Sequence, residues 1–208
     1  MKFALTPPNQ LTFLRILLTP VFVALLFSSE LLLRQFSLIV FVLALLTDWY
    51  DGWVARRWGY VTRWGTFLDP LADKVVTSSA LIAFVYLDLV PAWPVWAIVF
   101  RDVAITFLRS YSEFKGRAFD TSKFAKTKTF LQFMFIYYVL LAYIARDMEY
   151  FQSRYGGLIH EALAYSLLYT IVVVVAFITV LTGILYLVKN WKTVRELYDF
   201  SDRITESQ

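Results

Sequence analysis

Apolar blocks close to twenty residues long, separated by short polar and charged stretches, leave this chain few folds to choose from. Six such segments run through residues 11–28, 37–54, 71–90, 95–107, 130–144 and 162–188. About 20 apolar residues in a helix cross about 30 Å of hydrocarbon. Backbone N–H and C=O groups in lipid must bond within the protein, so each segment reads as a helix. The fold class expected is therefore all-α integral membrane, a six-transmembrane-helix bundle. The fourth and fifth segments need their flanks to reach full length, and the last is long enough to tilt. Composition agrees: 59% of the 208 residues are hydrophobic, above the apolar share of an ordinary soluble domain. Residues 1–208 read as a single membrane domain, with 190–208 a polar tail. In that tail Trp191, Val194, Leu197 and Tyr198 recur at helical spacing, which suits a helix lying on the membrane surface.

The basic residues orient the bundle. With the N-terminus inside, fourteen of the twenty Lys and Arg residues fall in cytoplasmic stretches and three, Arg34, Arg146 and Arg154, in outer loops. Cytoplasmic loops carry such an excess, so both termini are expected in the cytoplasm. Residues 1–10 lack a signal-peptide pattern, and the apolar stretch after them reads as a retained span. The chain has no cysteine, which excludes disulfides, thiolate catalysis and Cys-ligated metals. The one histidine, His160, falls in the expected outer region and has no expected catalytic role. Membrane lipids are the expected surroundings, and no nucleic-acid partner is expected.

Four carboxylates break the apolar pattern. Asp48 and Asp51 lie towards the end of the second segment, and Asp69 and Asp73 open the third. An ionisable group at such a depth is expensive unless paired, and marks function by default. Spacings of three and four residues put each pair on one helix face. The segments run antiparallel and the connection between them is short and cytoplasmic, so the two pairs converge at the inner surface. Their mutual repulsion is relieved by hard divalent cations with oxygen ligands, and carboxylates that bridge two metals about 4 Å apart clamp phosphoryl groups. Single aspartates have simpler uses: Asp69 before Pro70 suits a helix N-cap, and Asp48 suits an ion pair with Arg15, Arg56 or Arg101. Gly65 is expected to relax the connecting loop, 55–68, and Pro70 to be the first residue of the third helix.

The segment reads Asp48-Trp-Tyr-Asp51-Gly52-x-x-Ala55-Arg56, eight residues, then Gly65-x-x-x-Asp69-x-x-x-Asp73. It resembles, without departure, the signature of the CDP-alcohol phosphatidyltransferase family. Pro8-Asn9-Gln10-Leu11-Thr12-x-x-Arg15 and the run Thr47–Arg57 resemble one branch of it, the bacterial phosphatidylglycerophosphate synthases. So do Arg101-Asp102 with Arg109, and Lys126-Thr127-Lys128-Thr129 with Gln132, although that branch usually has Arg-Glu, and often Gly-Lys before the second lysine, where this chain has Arg101-Asp102 and Ala125-Lys126. The resemblance covers most of 8–132; beyond Gln132 it rests on hydrophobicity alone.

The resemblance implies a CDP-diacylglycerol donor, an alcohol acceptor and CMP as leaving group. Asp48, Asp51, Asp69 and Asp73 would hold two divalent cations, Mg2+ or Mn2+, and Asp73 would also be the general base. Asn9, Thr12, Gly52 and Arg56 would line the donor pocket. Arg101, Arg109, Lys126 and Lys128 would bind the acceptor phosphate, which suits glycerol 3-phosphate; a basic loop that binds lipid headgroups is the simpler reading of the same charges. The implied location is the inner (cytoplasmic) membrane, multi-pass, with the active site facing the cytoplasm. The resemblance also admits a homodimer. Rival readings are the same chemistry on inositol phosphate, phosphatidylglycerol or serine, a membrane prenyltransferase, and a cation transporter with intramembrane carboxylates.

Overall fold

A computed structural model describes the backbone of residues 7–58, 63–115 and 123–195, and the side chains of 12–47, 69–113, 115 and 127–195. Every regular element among the described residues is a helix. The order is α1 (Pro7–Leu26), α2 (Leu31–Trp58), α3 (Arg63–Tyr86), α4 (Ala92–Phe114), α5 (Lys123–Arg146), α6 (Glu149–Ala162) and α7 (Tyr165–Lys189). Two of them contain stretches long and apolar enough to cross a membrane, Thr127–Arg146 and Tyr165–Lys189. Shorter apolar stretches occupy Thr12–Leu26 and Leu31–Thr47. Large apolar side chains point outward along the bundle, among them Phe100, Phe177, Val188 and Leu32. A surface of this kind is matched to lipid, where it has no water to avoid.

α1 packs against α2 and α3, α3 against α4, and α7 against α4 and α5. The core they enclose includes Phe22, Phe41, Val76, Phe84, Ile98, Ile136, Leu140, Leu168 and Val172, all fully buried. Phe22 and Phe41 meet at 5.1 Å between ring centroids, and Tyr137 meets Phe41 edge-on at 5.6 Å. The turn after α3 is a Schellman motif. Asp88 takes φ 55°, Leu89 N–H donates to Phe84 O and Asp88 N–H to Val85 O, so the last carbonyls of the helix are satisfied. At the same end Arg34 and Asp147 form an ion pair between α2 and the turn after α5. Arg146 lies over the Tyr143 ring, 4.8 Å from its centroid.

Three local expectations need correction. α6 occupies a stretch expected to be an outer loop. Its Gly156-Gly157 pair disfavours helix, and the backbone does break at Tyr155 (φ −130°, ψ 18°). Packing against α5 and α7, with Ile159 buried, outweighs that local preference. Secondly, α2 and α3 each extend beyond the apolar run into the polar signature. Only 59–62 separates them, so Gly65 is helical and the 55–68 loop does not exist at that length. Thirdly, Pro70 lies inside α3 rather than at its first position, which also removes the N-cap reading of Asp69. Apolar periodicity marks where a helix meets its core or lipid; it is silent on the polar turns that continue beyond. In the C-terminal tail, residues 191–195 are helical and Val194 packs beside Tyr186; 196–208, with Leu197 and Tyr198, lie outside the described residues.

Candidate active site

The N-terminal part of α1, the beginnings of α3 and α5, and the last turns of α4 and α7 share one end of the bundle. The polar side chains of the sequence reading that are described gather there. Thr12 of α1 donates a hydrogen bond from Oγ1 to Asp69 Oδ1, which joins an expected donor-pocket residue to an expected metal ligand. Arg15, one turn further on, is fully buried and acts on the Asp69 carboxylate through its charge. Asp73 follows Asp69 by one turn of α3, so both carboxylates share a face. The side chains of Asn9, Asp48, Asp51, Gly52, Arg56 and Lys126 lie outside the described residues. α2 does carry Asp48, Asp51, Gly52 and Arg56 on one continuous helix, with the four residues 59–62 between it and α3.

A cavity of about 260 Å³ opens beside Asp73. Pro70, Asp73 and Lys74 of α3, Arg101 and Arg109 of α4, Lys128 and Thr129 of α5, and Tyr186 of α7 contribute to its wall. Three of the four residues expected at an acceptor phosphate thus share one cavity with the expected base. Among the described residues four cationic side chains line it, and they outnumber the three carboxylates paired with them, Asp73, Asp102 and Glu113, a balance that favours an anionic occupant.

Asp102 organises the cations from behind. It is 2% exposed. Lys128 Nζ lies 2.5 Å from both of its carboxylate oxygens, Arg101 Nη1 donates to Oδ1 at 3.1 Å, and Lys74 Nζ is 3.8 Å from Oδ2. Lys74 also lies 3.9 Å from Asp73 Oδ2 and so bridges the two carboxylates. One buried anion thereby holds three cations that would otherwise repel one another, and partnered charge is the condition on which charge is buried. Arg109, more exposed, donates from Nε to Glu113 at 2.9 Å, an i,i+4 pair on α4.

Lys74, Asp102 and Tyr186 were not among the expected site residues. Lys74 had a signal, a lysine next to Asp73 at the edge of an apolar run. Asp102 stood in the motif as a variant of Glu without an assigned role. Tyr186 had none, because α7 is apolar almost throughout and its aromatic residues read as belt and packing.

The model of the family described as CDP-alcohol phosphatidyltransferase matches residues 5–185. The chain belongs to the CDP-alcohol phosphatidyltransferase family. Curated relatives agree with this. It is 32% identical over 200 residues to a Bacillus subtilis protein named CDP-diacylglycerol–glycerol-3-phosphate 3-phosphatidyltransferase, covering 90% of this chain and 96% of that one. A Rickettsia typhi protein of the same name is 31% identical over 86% of this chain and 93% of its own. One from Salmonella typhimurium is 33% identical over 64% and 75%. This phosphatidyltransferase is therefore a membrane enzyme of a class that uses divalent cations.

The residues present fit that requirement. Asp69 and Asp73 are partly buried, one turn apart, and offer only oxygen donors, as hard cations prefer. Asp48 and Asp51 on α2 would complete the set.

Proposed function

We propose that this phosphatidyltransferase transfers the phosphatidyl group from CDP-diacylglycerol to glycerol 3-phosphate, giving phosphatidylglycerophosphate and CMP. The observation that carries the reading is the cavity in which Asp73 faces Arg101, Arg109, Lys128 and Lys74. A phosphomonoester dianion matches those cations, and a hydroxyl on the same small molecule then lies towards the carboxylate. Serine, a zwitterion, offers those cations no dianion, whereas inositol phosphate does, so the cavity by its charge favours a phosphorylated acceptor. The names of the relatives from Bacillus and Rickettsia support the same choice.

In this reading Arg101 and Lys128 hold the acceptor phosphate by charge-assisted hydrogen bonds, and Arg109 and Lys126 complete the basic wall. Asp73 accepts the proton of the acceptor hydroxyl. That oxygen attacks the phosphatidyl phosphorus of the donor, and the bond from phosphorus to the bridging oxygen breaks. CMP departs with the electron pair. Asn9, Thr12, Gly52 and Arg56 line the donor's nucleotide and pyrophosphate; the Thr12–Asp69 hydrogen bond supports that neighbourhood. Asp48, Asp51, Asp69 and Asp73 would hold two divalent cations, Mg2+ or Mn2+, which neutralise pyrophosphate charge and ease departure of CMP when bound.

The membrane arrangement that goes with this chemistry is six spans, formed by α1–α5 and α7, with both termini and the site at the cytoplasmic face of the inner membrane. The bias of Lys and Arg supports it. α6 then lies on the opposite side, and residues 190–208 form a cytoplasmic tail.

Membranes holding the chain, given labelled CDP-diacylglycerol and each acceptor in turn, test the assignment. Glycerol 3-phosphate is expected to yield labelled phosphatidylglycerophosphate and CMP. A product with inositol phosphate, phosphatidylglycerol or serine, and none with glycerol 3-phosphate, would sink it. Release of pyrophosphate instead of CMP would favour a prenyltransferase, and cation flux into proteoliposomes without lipid turnover a transporter. Within the enzyme reading, Arg101→Ala is expected to raise the KM for glycerol 3-phosphate by about ten-fold or more, the effect of one lost charge-assisted hydrogen bond, and to leave the KM for the donor nearly unchanged. The reverse pattern would move Arg101 to the donor side.

A further inference from the structure

Arg101 lies against α7 at a position where a side chain is missing. Its Nη2 donates to Thr182 Oγ1 at 3.2 Å, while Nη1 is held by Asp102. The next residue of α7 is Gly183, which is buried. A Cβ built on Gly183 would stand 2.7 Å from Arg101 Nε, 3.0 Å from Cγ and 3.4 Å from Cδ. The clash falls on the shaft of the arginine rather than its free end. With both terminal nitrogens engaged, the shaft has no compliant direction. Arg101 Nε is itself buried and finds no hydrogen-bond partner among the described residues. Thr182 in turn donates to Thr179 O at 2.9 Å, which fixes its hydroxyl so that an oxygen lone pair is offered to Arg101.

We propose that Gly183, with Thr182, is the seat on α7 that positions Arg101 for the acceptor phosphate. The inference rests on the function proposed above for the cavity and deepens it. It gives α7, whose Tyr186 already lines the cavity and whose sequence carries no signature residue, a part in positioning the cation. Neither residue needs to touch the substrate; both act through the guanidinium. Glycine at 183 is required here by close approach, since its helical backbone is open to any residue. An arginine displaced by even one methyl group loses either Asp102 or Thr182, and its charge then moves relative to Lys128 and Asp73.

A double-mutant cycle on the full-length enzyme in membranes or detergent tests the seat. Gly183→Ala is expected to raise the KM for glycerol 3-phosphate by about ten-fold, the scale of one displaced charge-assisted hydrogen bond, with the donor KM within about two-fold of the parent. In an Arg101→Ala background the same substitution is expected to change neither. Thr182→Val removes the acceptor oxygen with almost no change of shape and is expected to follow the same pattern, so it carries the test if Gly183→Ala is not recovered from membranes. Equal effects of these substitutions in both backgrounds, or an unchanged acceptor KM in the parent background, overturn the proposal. Failure of the function itself is separate: it appears in the parent enzyme as lack of turnover with glycerol 3-phosphate, and the cycle is then read with the acceptor that is used.

Discussion

Asp73→Asn is expected to lower kcat with glycerol 3-phosphate by about 10³-fold, within the range that a positioned general base contributes, while the protein still binds CDP-diacylglycerol. The amide keeps the shape of the side chain and loses the ability to accept a proton. It also weakens the hold on a cation, so part of the loss belongs to that second role. The two are separable by measurement. Raising the divalent cation concentration restores whatever fraction comes from cation affinity and leaves the fraction that comes from proton transfer. Retention of labelled donor by the purified variant shows that the pocket survives. Undiminished turnover in this variant would remove Asp73 from the role of base, and with it the chemical reason for placing the acceptor in the cavity beside it.

Asp102→Ala is expected to be the most destabilising single change near the site. Lys128, 2% exposed like Asp102 itself, would be left without its bidentate partner, and Lys74 and Arg101 would face it without an anion between them. Removing one partner of a buried ion pair costs roughly 3–5 kcal/mol. Unfolding in detergent can be followed by tryptophan fluorescence, since the chain has seven tryptophans. Replacing the pair together, as Asp102→Ala/Lys128→Met, is expected to recover part of the lost stability, because no buried lysine then lacks its carboxylate. Acceptor affinity is not expected to return with it, since a phosphate-binding cation has been removed. Asp102→Glu, the residue usual in the phosphatidylglycerophosphate synthase branch, is expected to keep both stability and turnover. If Asp102→Ala melted with the parent enzyme and kept its acceptor KM, the organising role of Asp102 would be lost.

The all-helical character and the family were legible in the sequence alone, and so was the clustering of carboxylates at the ends of its second and third apolar runs. These follow from local facts: run length against the thickness of a bilayer, and carboxylates at helical spacing where apolar residues are the rule. Asp73, Arg101, Arg109 and Lys128, named together from the resemblance, line one cavity; their roles belong to the proposed function. Tertiary structure alone decided the rest. It carried α2 and α3 through the signature, placing Gly65 and Pro70 inside a helix, because neighbouring helices reward continuation of polar turns that hydropathy cannot see. It folded 149–162 into α6 through packing that overrides a glycine pair. It made Asp102 the shared anion of three cations and brought Gly183 under Arg101. Contacts between residues 81 or 82 positions apart depend on how α4 meets α7, and an apolar helix with one buried glycine looks the same in sequence whichever of its faces meets a neighbour.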